Sequence, residues 1–396
     1  MGFSVVMFNM AFEQRASIAA ALGEVYRRSE TRAKVGRWEM GILGEVEREG
    51  ELERILRREP ALADFSGGFM RSDGTGSSVL SMTNLIAWLV ERTFKVGVEQ
   101  TIADLERYVE SPTFPYRFLI GVRGIAIGEL CELADGISAL PPVQEIRRFE
   151  TNEPQPTSAV LELLENLPKV VSSAGSFSVR LDAAADVADG AFDRLNLARV
   201  CIALAIDSPV VQTTRTAIPA ESVPPTGGTG ASTALGTMGV SVHQADGQLL
   251  TLARQVHERF VALPSILRDR LAIAAHRWHG SIMRGPTPDL FIDVGIGLEC
   301  VYLSDGAGEL KHRMMIRAGR LLASSTAERI QVARVIDALY EARSQAVHTG
   351  RMPSKIRNRV AIDIYELARM GQQILRRSIL ALMARGRDDW DELIFE

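Results

Sequence analysis

Apolar residues recur every three or four positions over two long tracts of the chain, with charged residues on the opposite faces. This is the pattern of amphipathic helices. The first tract covers residues 11–60, where FEQRASIAAALGEVYRR and EMGILGEVEREGELERILRRE also set acidic and basic side chains one helical turn apart. After the glycine-rich break DFSGGFMRSDGTGSS (64–78), the stretch SMTNLIAWLVERTFKVG resumes the helical period, with Ser81 as its N-cap. From Phe118 the period shortens toward two. FLIGVRGIAIGELCELADGISAL carries Asp135-Gly136, a pair suited to tight hairpin turns, and predicts a pair of strands. SFSVRLDA (176–183) predicts a further strand, and AFDRLNLARVCIALAI a buried helix.

IPAESVPPTGGTGASTALGTMG (218–239) interrupts both patterns with Pro, Gly, Ser and Thr and reads as a linker or excursion. Its GGTGAST lacks the lysine of a phosphate loop and has no strand-to-helix setting, and SDGTGSS fails for the same reason. From Gly247 onward every segment has helical spacing, broken by GPTPD, SDGAG and HTGRMP. The predicted fold class is an α+β N-terminal region, residues 1–217, then a linker, 218–244, then an all-α helical bundle, 245–396. A regulatory or substrate-binding role is assigned to residues 1–217.

Composition changes this picture little. The runs IAAAL and VCIALAI are far too short to span a bilayer, so no membrane is expected. The N-terminal stretch has neither the basic start nor the cleavage site of a signal peptide, and Val6 occupies the position where myristoylation needs Ser or Thr. Cys131, Cys201 and Cys300 form no pair motif, which fits buried thiols in a reducing cytoplasm. Charge changes it more. Of 45 basic residues 22 lie from Thr251 onward, against 17 of 49 acidic ones, so a net positive helical part follows a net negative front. That asymmetry suits an anionic partner for the helical part.

Chemistry concentrates in LYEARSQAVHTG (339–350). A capped helix begins at Ser325 or Thr326 with Glu328 in its first turn, and Gly350 with Pro353 ends it. Ile330, Ala333, Ile336 (or Asp337), Tyr340 and Val347 form the predicted inward stripe. On a regular helix Arg343 and His348 lie about 140° apart around the axis and about 7.5 Å along it, while Ser344 and His348 share a face. The plainer reading of such residues is that they satisfy the last carbonyls and complement the helix dipole. The same dipole favours the charged form of His348, which equips it as an acid or an anion ligand. Arginine supplies a planar cationic fork for phosphate. These are the parts of metal-free RNA cleavage, which needs a base at the 2′-hydroxyl, an acid at the departing 5′-oxygen and a cation at phosphorus. One histidine does not readily fill both proton roles, and a symmetric dimer brings a second.

GIGLECVYLSD, ELKHRMMIRAGRLLASSTAERI and LYEARSQAVHTG, in that order, strongly resemble the Apea-like branch of the HEPN superfamily. The shared elements fall at Leu298-Glu299, at Arg317 with Leu321-Leu322, and at Leu339-Tyr340 through Gly350, and the resemblance covers about Leu271 to Leu382. It implies a helical, usually dimeric HEPN domain whose Arg-x4-6-His motif acts as a metal-independent ribonuclease, typical of phage-defence and toxin systems. By position, Arg343 then holds phosphate, His348 is the acid/base, and Ser344 fills the polar slot. Glu299, Arg317 and Tyr340 stand as supporting residues. The expected partners are RNA, a second copy of the chain, and a defence-system or antitoxin protein; no metal or other cofactor is expected. Thr349 separates His348 from Gly350, where the family often has glycine immediately. The alternative is a non-catalytic HEPN module that binds RNA or a protein partner.

Three further groups remain. His276 and His279 in HRWH are spaced to share a metal, but with no third ligand nearby they read as a polar face beside a core Trp278. Glu299 lies in an otherwise apolar helix and needs a partner, with Arg317 or Arg343 as candidates. Arg351, Lys355, Arg357 and Arg359 place four cations just past His348, suited to an RNA backbone but without an aromatic for base stacking.

Overall fold

A computed structural model describes residues 14–33, 50–65, 70–72, 77–79, 81–147, 157–168, 171–172, 182–224, 231–233, 240–285, 287–304, 308–353 and 363–395. The first elements are α1 (Arg15–Ala33), α2 (Glu51–Arg58), β1 (Met70–Ser72), β2 (Ser77–Val79), α3 (Met82–Val96) and α4 (Val98–Glu110). Then come β3 (Thr113–Arg123), β4 (Ile125–Ala126), β5 (Cys131–Glu132), β6 (Ile137–Leu140), α5 (Gln144–Arg147), β7 (Ala159–Pro168), β8 (Val171–Ser172) and α6 (Asp182–Ile206). They are followed by β9 (Val211–Pro219), β10 (Ala231–Thr233), β11 (His243–Gln244), α7 (Gly247–Val261), α8 (Ser265–Met283) and α9 (Pro288–Tyr302). The last are α10 (Leu310–Leu322), α11 (Thr326–Thr349), α12 (Ile364–Arg385) and α13 (Trp390–Phe395).

The chain is α+β. Its largest sheet has the strand order β10-β9-β3-β7-β6-β5, and β1 lies between β2 and β8 in a small second one. The expected turn at Asp135-Gly136 is present: both residues are left-handed, at φ 60° and 72°, and they connect β5 to β6 in antiparallel register, Cys131 opposite Ala139. Ser81 caps α3 by accepting from the Asn84 backbone N–H. The glycine-rich break at 64–78 contains β1 and part of β2, which pair antiparallel. Within the stretch read as a linker, Ala231–Thr233 forms β10 against β9, with Ala231 opposite Thr216, and Val223 is buried. A strand of small and β-branched residues carries too little apolar signal to stand out between glycines. Most of SFSVRLDA lies outside the described residues; its last two, Asp182 and Ala183, open α6.

Two compact units share the chain, one made of residues 1–120, 162–194 and 214–234, the other of 121–161, 195–213 and 235–396. Four of the boundaries fall inside β3, β7, α6 and β9, and the fifth, after 234, falls within the stretch read as a linker. In the first unit, alternate residues Phe114, Tyr116 and Phe118 of β3 carry their rings to one face, with centroids 5.1 and 6.4 Å apart. Tyr108 and Phe192 extend this row at either end.

The second unit holds all of α7 to α13. Its core is built from Phe260, Leu271, Trp278, Phe291, Val294, Tyr302, Leu339, Leu375 and Ile379. The helical period read from Gly247 onward holds for every described helix there, and α13 is an addition to it. Cys201 is buried, and burial holds its thiol protonated; Cys131 and Cys300 are half-buried rather than core. Among the described residues no helix is long and apolar enough to cross a membrane.

Candidate functional site

The site is built on α11. Ser325 accepts from the Glu328 N–H, and the Glu328 carboxylate accepts from the Ser325 N–H, a complete capping box that lowers the Glu328 pKa. At the other end Gly350 takes the left-handed conformation at φ 63° and donates to the Ala346 carbonyl. Thr349 is the last helical residue: its hydroxyl donates to the Gln345 carbonyl and accepts from the Arg351 N–H, at 2.7 and 3.2 Å. The residue that interrupts the expected motif thus ties off the final turn.

The buried stripe of α11 is Val335, Ile336, Ala338, Leu339, Ala342 and Ala346. This corrects the predicted stripe, because Ile330 and Val347 are 47% and 50% exposed. Ile336 of the predicted stripe is buried, but Ile330 and Val347 pointed to the wrong face, because Ala338, Ala342 and Ala346 share the buried face with Val335, Ile336 and Leu339. Leu339 packs into a notch at Gly371 of α12, where an added Cβ would meet its Cδ2 at 2.7 Å. With the stripe so turned, Ala342 and Ala346 are buried while His348 is exposed; Arg343 and Ser344 are half-buried between them.

Arg343 lies along α9. A Cβ built at Gly295 would stand 2.6 Å from the arginine Cγ, so the missing side chain at 295 is the bed of the arginine stem. One turn further along α9, both oxygens of Glu299 lie 3.4 Å from Arg343 Nη2. Glu299 is therefore neither deeply buried nor unpaired; of the two candidate partners it takes Arg343. Both side chains are more than a quarter exposed and the contact is long, so the pair does more to aim the guanidinium than to stabilise the fold. Arg343 Nε is buried without a hydrogen-bond partner. Tyr340, Met314 and Leu298 close the cradle, leaving a cavity of only about 10 Å³.

Arg317 has a different task. It is 4% exposed, donates from Nη1 to the Tyr302 carbonyl, and sets its guanidinium 5.1 Å from the Trp390 ring centroid. It bolts α9, α10 and α13 together and does not reach the Glu299 pair. Arg351 is exposed just past the end of α11, whereas Lys355, Arg357 and Arg359 lie outside the described residues.

No family model, curated protein or solved structure matches this chain. The site is therefore read from its own residues.

The two histidines of HRWH part company. Trp278 is core as expected and His276 is exposed, but His279 is buried rather than on a polar face. Its Nε2 lies 3.2 Å from Arg199 Nη1, 3.3 Å from the Val210 N and 2.9 Å from the Val210 O. Burial first, then the Arg199 charge, pushes its pKa down to about 3, so it is neutral at physiological pH. Burial likewise lowers Arg199 to about 10. Gly295 is the site residue that sequence reasoning missed. The signal was available: Gly295 and Glu299 are four apart and so share one face of α9.

Proposed function

We propose that this chain is an RNA endonuclease of the Apea-like HEPN type, working in the cytoplasm in phage defence or a toxin system, with Arg343 and His348 as its reacting pair. The observation that carries this reading is an aimed arginine five residues before an exposed histidine: Arg343 rests on Gly295 and Glu299, and His348 is open to solvent in the last turn of the same helix. Arg343 draws in the phosphodiester and offsets the charge that grows on its oxygens. The RNA 2′-oxygen then bonds to phosphorus as the bond from phosphorus to the 5′-oxygen breaks. One proton leaves the 2′-hydroxyl to a base, and another reaches the 5′-oxygen from an acid, giving a cyclic phosphate and a free 5′-hydroxyl. His348 of one copy fills one proton role and that of a second copy the other, which calls for a homodimer.

The test is incubation of purified protein with total RNA in EDTA, beside His348→Ala and Arg343→Ala. Wild type is expected to cut, and each variant to lose activity by about 10²-fold or more, the scale of a lost general acid–base. Cutting that survives either substitution, or that needs added metal, refutes the mechanism. Light scattering should give a dimer; a strict monomer removes the second histidine.

A further inference from the structure

Beside the arginine cradle lies an open depression of about 520 Å³, lined by Glu309, Leu310, Lys311, His312 and Tyr340. Tyr340 is half-buried and borders both this depression and the Arg343 cradle. It stands three residues before Arg343, about 4.5 Å along the axis, and eight before His348, about 12 Å. That is the reach of one or two nucleotides from a phosphate held by the arginine.

Charge decides what the depression suits. Lys311 Nζ is 2.8 Å from Asp337 Oδ1, and Glu341 adds a second nearby carboxylate to that lysine's surroundings. Glu309 and His312 also line the depression. With Lys311 paired to Asp337 and the Glu309 carboxylate on the lining, the depression is poorly suited to another phosphodiester. An aromatic ring, an apolar Leu310 and a rim of donors and acceptors fit a flat, neutral ring with polar edges.

We infer that the depression between α10 and α11 seats a single unpaired nucleobase stacked on Tyr340, and that this seat makes the chain selective for single-stranded RNA. The inference rests on the nuclease reading for its choice of RNA. A base within a duplex has both faces occupied by its neighbours, so it reaches Tyr340 only when unstacked. Stacking is indifferent to base identity, so the seat reads strandedness before sequence. The tyrosine of the motif is then a substrate-binding residue, set on the opposite side of Arg343 from His348.

The test is binding, kept separate from cleavage. A fluorescein-labelled single-stranded 12-mer RNA and the same strand in a duplex are titrated by anisotropy against the His348→Ala protein, alone and with Tyr340→Phe or Tyr340→Leu added. Phenylalanine should keep single-strand affinity within about twofold, and leucine should weaken it about tenfold or more. The duplex should bind more weakly than the single strand. Melting curves accompany each variant, because a purely structural tyrosine would lower the midpoint without separating the two RNAs. Equal affinity of Tyr340→Leu and its parent, or duplex binding as tight as single-strand binding, overturns the seat. Binding that depends on Tyr340 in a wild-type chain that never cuts leaves the seat standing and sinks the nuclease. Cutting that ignores Tyr340→Leu does the reverse. Failure to bind either RNA sinks both.

Discussion

An arginine side chain is long and free to rotate, and here two residues of another helix remove that freedom. Gly295 gives the stem a groove and Glu299 gives the head a direction. Filling the groove should displace Arg343 while leaving every proposed reacting residue in the sequence. Gly295→Ala puts a methyl where the arginine Cγ stands 2.6 Å away, and the stem is the part that must give. The expected result is a fall in RNA cleavage at saturating substrate on the order of 10²-fold, the scale of an ångström's misplacement. The check is kcat and KM measured beside the melting midpoint. A loss confined to KM, or cleavage at the wild-type rate, counts against the positioning role. The Arg343–Glu299 pairing was one of the two that the sequence offered for Glu299; the spacing of Gly295 to Glu299 was also visible, but what a glycine omits shows only when the neighbouring helix is in place.

At the scale of elements, the sequence announced its helices by their ends. Ser81, Ser325 with Glu328, and Gly350 all cap where side-chain chemistry says they should. Ser325→Ala breaks the capping box of α11 and is expected to lower stability by about 1 kcal/mol, read as a shift in the urea midpoint, while the fold persists. Faces were harder to read than ends. On α11 the buried stripe joins Val335, Ile336 and Leu339 to Ala338, Ala342 and Ala346, small residues whose burial a search for large apolar side chains passes over. Ile330 and Val347, which looked like core, are exposed. The strand β10 was hidden for a related reason: Ala-Ser-Thr pairs through its backbone, and backbone pairing leaves little trace in a pattern of side chains.

For the whole molecule the consequential buried group is His279. Folded, it stays neutral down to about pH 3; unfolded, it takes up a proton near its ordinary value of 6.5. Between those values the unfolded chain binds the extra proton, so the contribution is complete above about pH 6.5 and is lost as the pH falls toward 3. From pH 6.5 to 5 the loss is on the order of 2 kcal/mol. Urea midpoints at pH 7.5 and 5.0 should therefore differ for the wild type and converge in His279→Gln. An equal acid shift in both proteins excludes His279 as the source. Sequence spacing paired this residue with His276, yet the partners that matter, Arg199 and Val210, lie 80 and 69 positions away. Long-range placement of that kind has no periodic signature. The division of the chain was obscured in the same way, since each compact unit gathers segments from several stretches of sequence.

The fit between Gly295 and Arg343 also constrains how this chain can change over generations. The space beside α9 admits a β-carbon at 295 or an arginine stem at 343 in its present path, and not both. A lineage that acquires alanine at 295 meets selection against the arginine's old position at once, while its helices remain well packed. From there a shorter residue at 343 is the downhill step, and recovering the arginine requires two reversals in order, glycine first. If Arg343 acts as proposed, loss of cutting by this route is easy to enter and hard to leave, which gives a concrete path from a cutting protein to one that only binds.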